Sequence, residues 1–138
     1  MTMNAAAGGG MRRVATLAAA ALLALAGCSS PDPEMVEACG TVQELEQAVL
    51  DLFNTDPDDR EAAVRAAGTV VNRAFALRDA AADTDSEELQ ALAADMEAGL
   101  RQLTVEAITG DPRDAAAPMA RLVVQMIEVC RAEGAWSE

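Results

Sequence analysis

Apolar residues recur at helical spacing along most of this chain, and this pattern limits the fold more than any other sequence feature. Between Met35 and Leu52, apolar residues alternate at intervals of three and four positions, which places them on one face of a helix. A second stripe of this kind runs from Leu89 to Ala107. No segment shows the strict apolar and polar alternation of a half-buried strand. The sequence therefore predicts an all-α protein.

Two further segments have apolar faces of the same kind. The second predicted helix runs from about Pro57 to Ala82, and the fourth lies in the C-terminal part of the chain. The face expected on the second helix consists of Val64, Ala67, Val71, Ala74 and Phe75, with Val70 and Leu77 beside it. The face expected on the fourth helix consists of Met119, Leu122, Val123, Met126, Ile127 and Cys130. Phe53 is expected to widen the end of the first stripe.

Four short motifs mark where these helices begin. In Asp32-Pro33, Asp56-Pro57 and Asp111-Pro112, the aspartate can cap the first turn, and the proline has no N–H to leave unpaired there. The fourth motif is Asp85-Ser86-Glu87-Glu88. There we expect Asp85 to cap the helix while Glu88, three residues later, reaches back to the open backbone amide.

Pro118 interrupts the last of these segments. Within a helix it would remove one backbone hydrogen bond and crowd the preceding turn, so we expect a short turn over residues 112–117 and a main helix that begins at Pro118. The connections between the predicted helices are short, which favours antiparallel neighbours. The expected architecture is an up-down-up-down four-helix bundle. The alternative is a helical hairpin pair that dimerises to complete its core.

Residues 11–28 have the pattern of an export signal, whereas residues 1–10 do not contribute to it. Arg12-Arg13 forms a short cationic region, residues 14–24 are apolar, and small residues precede Cys28. The apolar segment is shorter than the roughly 20 residues that a membrane-spanning helix needs, so a cleaved signal is favoured over a permanent span. The residues around the arginine pair fit the twin-arginine export pattern poorly, and general secretion is expected.

The motif Leu25-Ala26-Gly27-Cys28 resembles the lipobox of bacterial lipoproteins at all four positions. The resemblance implies that the Cys28 sulfur receives diacylglycerol, that a dedicated peptidase cuts just before Cys28, and that the Cys28 amine can also be acylated. Two acyl chains hold a protein firmly at a membrane surface, whereas one chain binds only marginally. The alternative is an ordinary cleaved signal with a cysteine at its end by chance.

The resemblance also implies how the chain is organised and where it is located. It divides the sequence into a cleaved signal peptide (1–27), a lipid-anchored tether (28–33) and an acidic helical domain (34–138). It places the protein on the extracytoplasmic side of a cell membrane and leaves open whether that membrane is the inner or the outer one. Whether the chain starts at Met1, Met3 or Met11 is also left open.

The mature chain would be strongly acidic. Without Arg12 and Arg13, eight of the ten basic residues remain against 23 acidic ones, which gives a net charge of −15. Such a surface repels phosphate backbones, so we expect no nucleic-acid binding. A cationic partner is favoured, and the alternative is that the acidic residues only keep the exported domain soluble.

Cys39 and Cys130 are the two cysteines outside the lipobox. In the expected bundle, Cys39 near the start of the first helix and Cys130 near the end of the last lie at the same level. An exported chain enters an oxidising compartment, so the sequence predicts a Cys39–Cys130 disulfide. The alternatives are a redox couple or a metal site, but redox pairs usually form Cys-x-x-Cys motifs and zinc sites recruit more ligands.

The composition argues against familiar catalytic machinery. The chain contains no His, Lys or Tyr, so the common general bases and nucleophile-activating groups are missing. We expect no enzyme activity, no cofactor and no metal ion. The run Asp56-Pro57-Asp58-Asp59 has Glu61 where a calcium loop of the EF-hand kind has glycine, and helix capping explains these acids more simply. Acid–base work by a pair such as Asp58 and Asp59 is the weakest alternative.

Trp136 is the only tryptophan, and it is expected to cover the end of the bundle beside the disulfide. An exposed Trp136 would instead be a good anchor for a partner. Met96, Met119 and Met126 fall on helical stripes, where core packing is the ordinary role of methionine. A hydrophobic ligand cavity or a soft-metal site is the alternative for these three residues.

The leading interpretation is a membrane-anchored, non-catalytic binding or accessory module at the cell envelope. Its contact with the membrane would be the covalent lipid on Cys28. Its partner would be another envelope protein, such as a cationic toxin or hydrolase that it neutralises. A carrier of an apolar or lipid ligand within the helical bundle is the alternative, and the oligomeric state is left open.

Overall fold

This computed structural model describes residues 30–138, which are helical apart from short connections and a C-terminal tail. The helices are α1 (Pro33–Phe53), α2 (Arg60–Ala82), α3 (Glu87–Thr109) and α4 (Pro112–Ala132). No strand occurs between residues 30 and 138, which confirms the predicted all-α class. Residues Asp32–Glu138 form one compact unit. The predicted signal peptide and Cys28 lie outside the described residues.

The four helices pack as a ring of antiparallel neighbours. Each helix packs on the next in the chain, and α4 closes the ring against α1. The connections 54–59, 83–86 and 110–111 are short enough to join antiparallel neighbours directly. A disulfide between Cys39 and Cys130 joins the start of α1 to the end of α4, so these two helices are antiparallel as well. The structure confirms the predicted up-down-up-down four-helix bundle.

The hydrophobic core follows the predicted stripes most closely on α1 and α3. Every residue of both predicted stripes is buried, from Met35 to Leu52 on α1 and from Leu89 to Ala107 on α3. On α4 the predicted face is also buried, except that Leu122 is half-buried. Phe53 does not widen the α1 stripe, because it lies on the flank of the helix with 39 % of its surface exposed.

The buried face of α2 differs from the predicted one. Val64 and Phe75 are exposed, and Val71 is only half-buried. Most buried side chains of α2 are alanines, and the Phe75 ring lies outside them, under the Arg78 guanidinium at 5.0 Å. The residues that α2 buries are Ala63, Ala67, Val70, Ala74, Leu77 and Ala81.

The helix starts at Asp32 and Asp111 are as predicted, since each side chain accepts a hydrogen bond from a backbone amide of the first turn. Two starts are wrong. Helix α2 begins at Arg60, and Asp59 caps it by accepting from the Ala62 N–H at 2.9 Å. Asp56 accepts from the Asp58 N–H at 2.9 Å and so stabilises the turn before the helix.

The cap of α3 is also one residue away from the predicted one. The Ser86 hydroxyl, not the Asp85 carboxylate, accepts from the Leu89 N–H, at 3.1 Å. Helix α3 begins at Glu87, so the unpaired amide within reach of a capping side chain is that of Leu89. Ser86, three positions before Leu89, is the residue placed to reach it.

The expected break at Pro118 is wrong, because α4 runs without interruption from Pro112 to Ala132. Pro118 has no N–H to donate to the carbonyl of Asp114, four residues earlier. Both residues are exposed, so water can hydrate that carbonyl and the lost hydrogen bond leaves no buried polar group unpaired. The helix therefore tolerates a proline in its interior at this position.

The predicted disulfide between Cys39 and Cys130 is confirmed. Their Cα atoms are 5.8 Å apart, within the usual range for a disulfide, and both side chains are buried in the core. The bond joins residues that are 91 positions apart in the sequence, so it closes most of the domain into one loop. On the chain-entropy model such a loop contributes about 4 to 5 kcal/mol to stability.

Candidate functional site

The two ends of the bundle carry different connections. One end, which we call the tether end, carries the start of α1, the α2–α3 connection and the end of α4. Asp32, Met35, Thr84, Ser86 and Glu133 are among the residues that line a shallow groove of about 130 Å³ there. The opposite end, which we call the distal end, carries the other two connections. The tether end is the end at which the described chain begins.

Trp136 lies at the tether end. The tail turns back after Ala132 through Gly134, whose φ of +69° is in the left-handed region that favours glycine. The Ala135 N–H then donates to the Cys130 carbonyl at 2.9 Å. Trp136 is half-buried against the core, and the Arg131 guanidinium lies 5.9 Å from its ring. Packing at the end of the bundle therefore accounts for Trp136, and a partner contact stays a prediction.

Three of the four acidic residues from Asp56 to Glu61, at the distal end, take part in local interactions. Asp56 and Asp59 accept backbone hydrogen bonds in the turn and the cap, and Glu61 pairs with Arg65. Asp111, nearby, pairs with Arg113. Hydrogen bonds from the Arg113 side chain and backbone hold the pKa of Asp111 below its ordinary value. Between residues 30 and 138, no group of three or more metal-ligating side chains is arranged to hold a metal ion.

The arginines of the domain are mostly engaged by its own carboxylates. Five of the eight arginines in the described part of the chain make ion pairs within it: Arg65, Arg73, Arg78, Arg113 and Arg131. Most of the 23 carboxylates have no such partner there. Helix α1 carries five acidic residues and no basic residue. The surface therefore presents far more negative than positive charge.

A groove between α3 and α4 combines this negative charge with an apolar floor. Its volume is about 240 Å³. Three carboxylates and no basic side chain are among its lining residues, so we call it the acidic groove. Its lining residues are Asp95, Gly99, Gln102, Glu106, Asp114, Ala115, Pro118, Met119 and Leu122.

The acidic groove exists because Gly99 has no side chain. A Cβ at that position would lie 3.7 Å from the Met119 Cγ, which is ordinary contact, and any longer side chain would extend into the groove. Met119 is buried at its base and Leu122 is half-buried. On the rim, the Gln102 side-chain amide donates to the Glu106 carboxylate at 2.7 Å.

A second groove lies between α1 and α4, and we call it the apolar groove. It has a volume of about 120 Å³, and Glu46 is the only charged residue among those that line it. Three of its lining residues are large and exposed: Leu50 has 47 % of its surface exposed, Phe53 39 % and Val124 56 %. The other lining residues are Val49, Ala120, Val123 and Ile127.

Both grooves were missed in the sequence. Met119 and Leu122 were assigned to the core, and no motif marks the rim formed by Asp95, Glu106 and Asp114. The useful signals were Gly99 inside an otherwise regular helix and Leu50 beside the α1 stripe. Neither signal shows which residues of α4 lie opposite.

Comparison with known proteins gives no match for this chain among protein-family models, curated proteins or solved structures. No helix between residues 30 and 138 is both long enough and apolar enough to cross a membrane.

Proposed function

We propose that this protein is a lipoprotein, anchored to the cell envelope through Cys28, that acts as a non-catalytic binding module for a cationic envelope protein. One observation carries the binding part of this proposal. The acidic groove, with three carboxylates around an apolar floor, lies in a domain whose arginines are mostly paired internally. A positively charged protein would gain electrostatic attraction on approach and apolar contact on docking.

The anchor part of the proposal rests on the lipobox-like motif. Only Ser29 to Asp32 would separate a lipidated Cys28 from the start of α1, a reach of roughly 13 Å when extended. The tether end would then face the membrane. The acidic groove, lined by residues from the middle and distal parts of α3 and α4, would be accessible to a partner beside or above the domain.

The carrier alternative has no observation of its own. Met96, Met119 and Met126 pack within the hydrophobic core, and the two grooves described above are open surface features. We therefore make no second proposal of function.

Zero-length carbodiimide crosslinking in the native host tests the binding proposal. This reagent joins carboxylates to amines, and because the chain has no Lys, its carboxylates can be joined only to its own N-terminal α-amine or to amines of another molecule. We expect a covalent adduct with one or a few basic envelope proteins, lost when the salt concentration is raised before crosslinking. Absence of any protein adduct, or adducts only with proteins of acidic net charge, would contradict the proposed function.

A further inference from the structure

We propose that the acidic groove is the docking site for a basic amphipathic segment of the partner protein, and that it takes up Arg or Lys side chains of that segment. The aliphatic stems would lie on the apolar floor and the charged heads would meet the rim carboxylates. This inference rests on the proposed function and names the surface and the chemistry through which it would act.

The floor of the acidic groove fits an aliphatic stem. Ala115 and Leu122 are half-buried, Met119 is buried beneath them, and Pro118 contributes an apolar ring. Long cationic side chains lay their methylene groups along such surfaces while their charged ends stay near polar groups. The absence of a side chain at Gly99 gives the stem the space that it needs.

The rim fits the cationic head. Asp95 and Asp114 make no ion pair within residues 30–138, and no basic side chain lines the groove to compete with an incoming one. Asp114 and Pro118 both line the groove, and Pro118 has no N–H to donate to the Asp114 carbonyl, so that carbonyl keeps an acceptor that an interior helical residue would use. A guanidinium or an ammonium group can donate several hydrogen bonds at once to such oxygens.

Charge also decides between this occupant and others. A second copy of the mature chain, with eight basic and 23 acidic residues, would bring another net charge of −15 to a groove that has no cationic lining residue, and an anionic lipid surface would be repelled in the same way. A purely apolar segment would cover the rim carboxylates without pairing them, which is costly. A basic amphipathic segment can cover the apolar floor and also pair with the rim carboxylates.

Peptide binding to the mature protein in neutral detergent tests this inference. The probe is a fluorescent helical peptide of Leu, Ala and Arg, compared with a peptide that has Glu in place of Arg. We expect binding of the Arg peptide only. The variant Asp95→Asn with Asp114→Asn should weaken it about tenfold, because two carboxylates that pair with the peptide are removed. The control Glu37→Gln with Glu128→Gln removes the same charge from exposed positions outside both grooves and should weaken binding less than about twofold.

A second pair of variants tests the floor without changing charge. Gly99→Leu places a side chain in the groove, and the backbone tolerates it because the added Cβ makes only ordinary contact with Met119. We expect at least about a tenfold loss of affinity for the Arg peptide with the thermal midpoint unchanged or raised. The control Gly68→Leu, on α2 in open space, should bind the peptide like the parent protein.

The outcomes separate the inference from the proposed function. The groove inference is overturned if the groove variant and its charge-matched control weaken binding equally, or if Gly99→Leu binds the peptide undiminished. In either case, a salt-sensitive adduct in the native envelope still supports a cation-binding module. Failure of the Arg peptide to bind the parent protein also overturns the groove inference. Binding of both peptides shows apolar docking and overturns it as well. Lack of a basic adduct in the native host contradicts the proposed function itself.

Discussion

Cys39 in the second turn of α1 is bonded to Cys130 in the last turn of α4, and the Cα atoms of the two residues are 5.8 Å apart. The bond joins the first and last helices of the ring at the tether end, where Trp136 also packs against the core. The core face of α2 is largely alanine, so it buries less apolar surface than larger side chains would. The covalent link between α1 and α4 supplies stability that offsets part of this deficit.

The disulfide should be a major source of stability. Replacing both Cys39 and Cys130 with Ala should lower the free energy of unfolding by about 2 to 5 kcal/mol, because the unfolded chain regains the freedom that the loop removes. Alanine leaves no polar group in the buried site. Urea unfolding followed by circular dichroism measures the loss, and a midpoint equal to that of the oxidised parent would contradict this account.

The turn at Gly134 should require glycine. Gly134→Ala puts a Cβ on a residue with φ of +69° and should cost about 1 kcal/mol, with a change in Trp136 fluorescence as the tail loosens. The control is Gly68→Ala, at a helical position with open space around the new Cβ, which should raise stability by about 0.5 to 1 kcal/mol. Thermal unfolding of the two variants should therefore shift in opposite directions.

Ser86 rather than Asp85 should control the start of α3. Ser86→Ala removes the hydroxyl that accepts from the Leu89 N–H and should cost about 1 kcal/mol of stability. Asp85→Ala removes a carboxylate that is not the cap, so its cost should be clearly smaller. If urea titration finds the larger loss for Asp85→Ala, the assigned cap is wrong.

The Asp111–Arg113 pair should contribute to stability only above acidic pH. The Arg113 hydrogen bonds lower the pKa of folded Asp111, so the stabilisation is present above the unfolded pKa and is lost as the pH falls through the folded one. Urea midpoints measured down through about pH 4 and below should therefore fall less steeply for Arg113→Gln than for the parent. Arg121→Gln, which removes an exposed arginine with no ion pair within residues 30–138, should keep the parental slope.

The helical fold was predictable because each segment buries a face whose period is visible in the sequence. The stripes from Met35 to Leu52 and from Leu89 to Ala107 combine large apolar residues with clear polar faces, and both are buried as expected. The up-down-up-down order of the helices predicted that Cys39 and Cys130 lie at the same height in the bundle. These features depend on local periodicity and on the order of the helices, which one sequence contains.

Apart from the two helix starts, where adjacent polar side chains compete for the same capping role, the errors occurred where the choice depends on neighbouring helices. On α2, alanines and valines lie on several faces, so the sequence does not show that Ala63 packs inward and Val64 outward. The continuous path of α4 through Pro118 depends on that proline lying on the exposed side. The acidic groove depends on Gly99 of α3 lying against Met119 of α4, and helical periodicity does not specify that register.

The intact mass of the mature protein from its native host, measured with and without reduction, tests the anchored and disulfide-closed module most directly. We predict an acylated chain that begins at Cys28 and gains about two mass units on reduction, one hydrogen for each sulfur of the disulfide. An unmodified Cys28, or a mass that does not change on reduction because Cys39 and Cys130 are free thiols, would contradict the account.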